Sequence, residues 1–209
     1  RVTVAARVID GLNKVGDFGQ SLRVAARIRP MMDDAGVRPL TSAWFRVWLS
    51  NQYLFQARFD AFEAILVEAR GICERHGLDF FVHVIDLFRG FGLLGRGDLA
   101  AAAALLDPLA ARLDPSRRLD VALFGFLRAW LALERGAVAD AEAAAATASR
   151  LALVTGSAAT RVICSTALAA ALDARDRVDD ALDVIAEAHE TLAPAPAQMR
   201  LPQEDVAAQ

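Results

Sequence analysis

The sequence predicts an all-α fold built from tandem helical hairpins. Three observations carry that expectation: a helix-favouring composition, apolar spacing of helical rather than strand period, and a turn that recurs about every forty residues. The chain has 209 residues, enough for one large domain or two small ones. Hydrophobic residues make up 55% and charged residues 23%, so a sizeable core is available and the chain is not a disordered tail. Alanine is roughly a fifth of the sequence and only seven residues are proline, which favours helix almost everywhere. The net charge of -3 and pI near 5.6 argue against a dedicated nucleic-acid module, which carries a basic face.

The recurring turn reads as a small or charged residue, an apolar anchor, and a small residue three places later. It occurs at Gly16-Asp17-Phe18 with Ser21, at Ala57-Arg58-Phe59 with Phe62, and at Gly97-Asp98-Leu99 with Ala102. It returns at Gly136-Ala137-Val138 with Ala141 and at Asp176-Arg177-Val178 with Ala181. The anchors Phe18, Phe59, Leu99, Val138 and Val178 step by 41, 40, 39 and 40 residues. Five copies at so constant a step define a repeat.

Each unit then contains two helices around its turn. The first helices are expected at approximately 2–15, 41–56, 79–94, 119–134 and 157–174, the second at 19–35, 60–76, 99–113, 139–155 and 179–192. Leu54, Ala57, Ala61, Ala64 and Ile65 show the i, i+3, i+4 rhythm of an amphipathic helix. Gly36 and Gly77 suit left-handed caps, Pro115 follows a last turn, and Ser157 and Asp79 suit N-caps. Ten antiparallel helices in tandem pairs predict a right-handed α-solenoid over residues 1–192. Residues 193–209 change character: Ala193-Pro194-Ala195-Pro196-Ala197 reads as a linker, and Met199, Leu201 and Val206 suit a short terminal helix.

Within the repeat, small residues stand nine places before four anchors (Ser50, Gly90, Ala129, Ala169), with Ile9 in the first unit. Six before come Leu12, Tyr53, Leu93, Ala132 and Leu172. This pattern resembles the tetratricopeptide (TPR) family over approximately residues 2–192, with a period nearer forty than the usual ~34. Longer units of this kind are similar to the sensor regions of MalT/LuxR-type bacterial transcription activators, which Gly95-Arg96-Gly97-Asp98-Leu99-Ala100 and Arg128-Ala129-Trp130-Leu131-Ala132-Leu133 resemble. The resemblance implies a module that binds a regulatory protein, a peptide or a small effector. It also implies where: the concave face of the first helices, where Trp44, Asn51, Phe55, Phe91, Phe126 and Trp130 are the expected contacts. Val47, Leu54, Val84, Leu87, Leu94, Leu123 and Leu133 fall at related positions. Such a groove is aromatic in the middle and polar toward its ends.

Catalytic and cofactor motifs are outweighed by structural readings. Gly90-Phe91-Gly92-Leu93-Leu94-Gly95 is a literal GxGxxG, but it lies inside an expected helix rather than between strand and helix, where backbone amides reach a pyrophosphate. Arg112, Arg117 and Arg118 read as a solvated basic loop, and the acids around Asp173–Asp180 as a solvated turn. His76, His83 and His189 have no carboxylate or thiol at catalytic or metal spacing, and Cys73 and Cys164 are isolated. A non-catalytic chain with no cofactor, no metal and no direct nucleic-acid or membrane binding is expected. The chain opens at Arg1 without a signal-peptide pattern, from which a fragment or processed chain of a bacterial cytoplasmic regulator is expected. The competing expectations are an oligomerising scaffold, through the apolar face or the Ala-rich helix 139–155, and an accessory domain of a larger enzyme.

Overall fold

A computed structural model describes residues 2–14, 16–34 and 36–192, so the 193–209 segment lies outside the described residues. All regular structure among them is helical. The elements are α1 (Val2–Lys14), α2 (Phe18–Ile28), a short 3₁₀ turn (Arg29–Asp33), α3 (Pro39–Phe55), α4 (Phe59–Arg75), α5 (Asp79–Arg96), α6 (Leu99–Ala110), α7 (Arg118–Glu134), α8 (Val138–Leu153), α9 (Ala158–Asp173) and α10 (Val178–Leu192).

The boundaries follow from local chemistry. At each of the five repeated anchors, as also at Gly77 between α4 and α5, a helix ends in a left-handed residue and the next begins two residues later; the anchor turns have Gly16 (φ 77°), Ala57 (φ 54°), Gly97 (φ 80°), Gly136 (φ 71°) and Asp176 (φ 59°) there. The following amide reaches back to the carbonyl five residues earlier: Asp17 to Leu12, Arg58 to Tyr53, Asp98 to Leu93, Ala137 to Ala132 and Arg177 to Leu172. This is the Schellman arrangement, which satisfies carbonyls that the helix end would leave orphaned. The same residue then opens the next helix. Where it is aspartate, its side chain accepts the third amide of that helix: Asp17 from Gln20 and Asp98 from Ala101, both at 3.0 Å.

Gly77 ends α4 at φ 63°, and Ser157 caps α9 by accepting from the Thr160 amide. Asp79 does not cap α5. It is the first residue inside the helix, where its charge faces the helix N-terminus instead. Two second helices are shorter than the spacing suggests. Pro30 has no N–H to offer the Ala26 carbonyl, so α2 stops at Ile28 and tightens into the 3₁₀ turn. Pro108 sits in the last turn of α6, which ends at Ala110.

Packing divides the helices into two sets. Each odd-numbered helix packs on its own hairpin partner and also on the next odd-numbered helix, α1 on α3 through α7 on α9. No even-numbered helix packs on another more than marginally among the described residues.

The core changes character along this array. Between α3, α4 and α5 it is built from Phe62, Leu66, Ile72, Phe81, Val84 and Ile85. Between α7, α8 and α9 it is largely alanine: Ala122, Ala129, Ala145, Ala148, Ala152 and Ala167. The apolar face of the Ala-rich α8 is therefore spent inside the molecule, with Ala141, Ala145, Ala148 and Ala152 fully buried. Small residues bring backbones together, and Gly125 on α7 lies against Ala148 on α8.

Candidate partner-binding face

On the odd-numbered helices one set of large side chains packs only partly against the core. On α3 it holds Trp44, Trp48, Asn51 and Phe55, on α5 Phe88 and Phe91, and on α7 Leu123, Phe126 and Trp130. All are half-buried except Phe55, which is 64% exposed. Asn51, Phe91 and Trp130 each stand eight residues before the left-handed turn's anchor, so α3, α5 and α7 present them at one register.

Ring contacts gather these side chains into three groups. Trp44 stacks on Trp48 at 5.2 Å between centroids and meets Phe81 edge-on at 4.5 Å. Phe91 stacks on Phe126 at 5.4 Å across the α5–α7 junction, and Phe126 meets Trp130 edge-on at 5.8 Å. Phe55 lies at the end of α3 against Phe18, 5.6 Å away. Offset and edge-on pairs of this kind stabilise by about 0.5–1.5 kcal/mol beyond burial. They hold these large, half-buried rings in place. The Trp130 indole N–H donates to the Glu134 carboxylate at 3.0 Å, so a polar group borders the aromatic surface.

Of the six expected contacts, Phe91, Phe126 and Trp130 are brought together, Trp44 and Phe55 fall in the two other groups, and several of the expected aliphatic residues are interior. Val47, Val84, Leu87 and Leu94 are buried in the core, because packing on the neighbouring first helix claims that side of α3 and α5. Trp48 and Phe88 were not among the expected contacts. Trp48 stands one helical turn beyond Trp44, and that i, i+4 spacing was the signal that would have found it.

The basic loop is not merely solvated. Arg112 donates to Asp86 at 2.9 Å, and Arg117 donates to Asp120 at 2.5 Å. Both acids are buried, at 1% and 5% exposure. Arg70 also pairs with Asp86, and His83 lies 3.0 Å from Asp120 through Nε2. These pairs tie α4, α5 and α7 to the loop after α6. Sequence spacing could not show them, because His83 and Asp120 are 37 residues apart. The His83–Asp120 pair is a buried polar link between α5 and α7. A second polar knot joins α1, α2 and α3. Ser21 donates to Asn13 at 2.9 Å, Gln52 donates to Asn13 at 2.9 Å, and Asn13 donates to the Trp48 carbonyl at 3.0 Å.

GxGxxG turns out to be a packing feature. Gly90 faces Leu127 and Leu106, and Gly92 faces the Phe62 ring, all from within α5. Among the described residues no group of His, Cys, Asp and Glu is placed to hold a metal, and no helix is long and apolar enough to cross a membrane. Two cavities, about 230 Å³ between α8, α9 and α10 and about 400 Å³ beside the Ala57–Ala61 turn, are lined by none of the six expected contacts. Compared with known proteins, the chain matches no family model, no curated protein and no solved structure.

Proposed function

We propose that the chain is a non-catalytic, TPR-like right-handed solenoid of five hairpins. Its role is to bind a partner protein, peptide or small effector as the sensing module of a bacterial cytoplasmic regulator. The observation that carries the reading is the set of half-buried aromatic side chains on α3, α5 and α7, with Phe126 bridging Phe91 and Trp130 across the α5–α7 junction. Large rings left half-buried on adjacent helices can bury further surface against a partner. Stacked rings lose little side-chain entropy on binding, and the neighbouring Asn51 and Glu134 supply direction through hydrogen bonds. The five recurring Schellman turns and the packing of each first helix on the next support the solenoid. In such an array a ligand that favours one curvature shifts the population of units toward it.

The test is selection from a displayed library of amphipathic helical peptides, followed by titration of the enriched peptides against tryptophan emission. Trp130→Ala should weaken the selected peptides by about 30-fold or more, the effect of a hot-spot residue. Equal affinity in a folded Trp130→Ala variant, or no enrichment at all, overturns the reading.

A further inference from the structure

Thirteen residues before their anchors, α3, α5, α7 and α9 place Arg46, Asp86, Gly125 and Ser165. The first three of these places are filled from within the chain. Arg46 is 4% exposed and donates to Asp33 at 2.8 Å and Glu68 at 3.1 Å, one acid from the unit before and one from its own second helix. Asp86 is held with the signs exchanged, by Arg70 of the unit before and Arg112 after its own second helix. Gly125 has no side chain, and Ala148 closes against it. At Ser165 the place is neither charged nor closed. It lines the cavity of about 230 Å³ between α8, α9 and α10.

The walls of this cavity are basic on one part and apolar on another. Ser149 and Arg150 come from α8, and Arg161 and Ser165 stand one turn apart on α9. Leu168 and Val184 supply apolar wall. Arg150 donates to the Thr147 hydroxyl at 3.1 Å and pairs with no carboxylate among the described residues. Arg161 lies 3.5 Å from Glu187, the one acid of the lining, whose side chain is 68% exposed. Two guanidinium groups against one acid leave the lining net basic, and the planar guanidinium fork matches a carboxylate. The volume is below the roughly 300–1,000 Å³ of sites for drug-sized ligands, so the occupant is small.

We infer that this cavity binds a small organic acid. Its carboxylate takes the place that the Asp86 carboxylate has in the earlier junction, between Arg150 and Arg161, and its apolar part lies on Leu168 and Val184. The exposed Leu182 and Ile185 of α10 are not part of the lining, and neither are the aromatic residues of α3, α5 and α7. This site and the aromatic one therefore fail independently.

NMR of the full chain titrated with sodium hexanoate tests this. The amides of Ser149 and Ser165 and the side-chain N–H groups of Arg150 and Arg161 should shift saturably. Hexanamide, similar in shape but neutral, and inorganic phosphate, which lacks the apolar part, should each bind at least about tenfold more weakly. Arg150→Gln and Arg161→Gln should each weaken hexanoate about tenfold, through loss of a charge-assisted hydrogen bond. Ser165→Asp supplies the carboxylate from the chain itself. It should abolish hexanoate binding and keep the urea midpoint at or above that of wild type, because its acid meets the same arginines. No saturable shift, equal binding of hexanamide, or an affinity unchanged in both arginine variants overturns the proposal. Phosphate binding as tightly as hexanoate overturns the organic acid in favour of an inorganic anion. Hexanoate binding that emerges only when Glu204→Gln and Asp205→Asn are combined makes the occupant the chain's own tail, and overturns a free acid equally.

Discussion

Phe62 on α4 lays its ring edge against the bare α-carbon of Gly92 on α5, filling the space a side chain there would need. The same ring is 2% exposed and joins Val47, Leu66 and Phe81 in the core. Alanine at position 92 gains about 1 kcal/mol in helix propensity. Displacing a packed aromatic ring costs more, about 1–3 kcal/mol. Gly92→Ala should therefore lower stability, read as a lower urea midpoint with an unchanged slope. The paired substitution Phe62→Leu with Gly92→Ala should lose less than the sum of the two single changes.

Asp86 supports a second expectation. Its carboxylate is 1% exposed and held by Arg70 from α4 and Arg112 from the loop after α6. Removing the acid loses both charge-assisted hydrogen bonds, while Arg70 and Arg112, 31% and 49% exposed, stay partly solvated. Asp86→Ala should cost about 1–3 kcal/mol in chemical denaturation. Arg112→Ala should cost clearly less, because Arg112 is half-exposed and Arg70 still faces the acid.

These two residues also mark how far the sequence could be read. The hairpins and their turns were legible because each depends on neighbours within six residues: an apolar anchor, a left-handed glycine and a capping aspartate. Repeat register also puts Asn51, Phe91 and Trp130 at equivalent places of α3, α5 and α7, eight residues before their anchors. Contacts between units were not legible. Asp86 meets Arg112 across 26 residues and His83 meets Asp120 across 37, and no local pattern distinguishes such charges from solvated ones. The early ends of α2 and α6 were missed for another reason. Pro30 and Pro108 lie in otherwise helix-favouring runs, and their missing amides shorten α2 and α6.

Ala57 offers a prediction of opposite sign. It occupies the left-handed position of its turn at φ 54°, where three other turns of the same kind place glycine. A left-handed alanine costs about 1–2 kcal/mol through its Cβ. Part of that gain is returned by the freer unfolded glycine. Ala57→Gly should raise stability by about 0.5–1 kcal/mol, measured as a higher urea midpoint. A decrease would mean that the turn is not held in this conformation in solution.

Cys164 makes stability depend on alkaline pH. It is 0% exposed between Ala122, Ala148 and Ala152, and its thiol lies 3.7 Å from the Ala122 carbonyl. Burial pushes its pKa up to about 12 from an ordinary 9.0. Below pH 9 the thiol is neutral in both folded and unfolded chains, and its contribution is fully present. Above pH 9 the unfolded chain releases the proton while the native protein keeps it, so folding is opposed increasingly toward pH 12. The limiting slope is about 1.4 kcal/mol per pH unit. Urea midpoints of wild type should fall more steeply between pH 9 and 10.5 than those of Cys164→Ala. Some slope should remain in the variant, because burial also raises the Cys73 thiol. In the native protein at pH 8, a thiol reagent should label neither cysteine until urea opens the fold. Rapid native labelling of Cys164 would show that the α7–α9 interface is open to solvent.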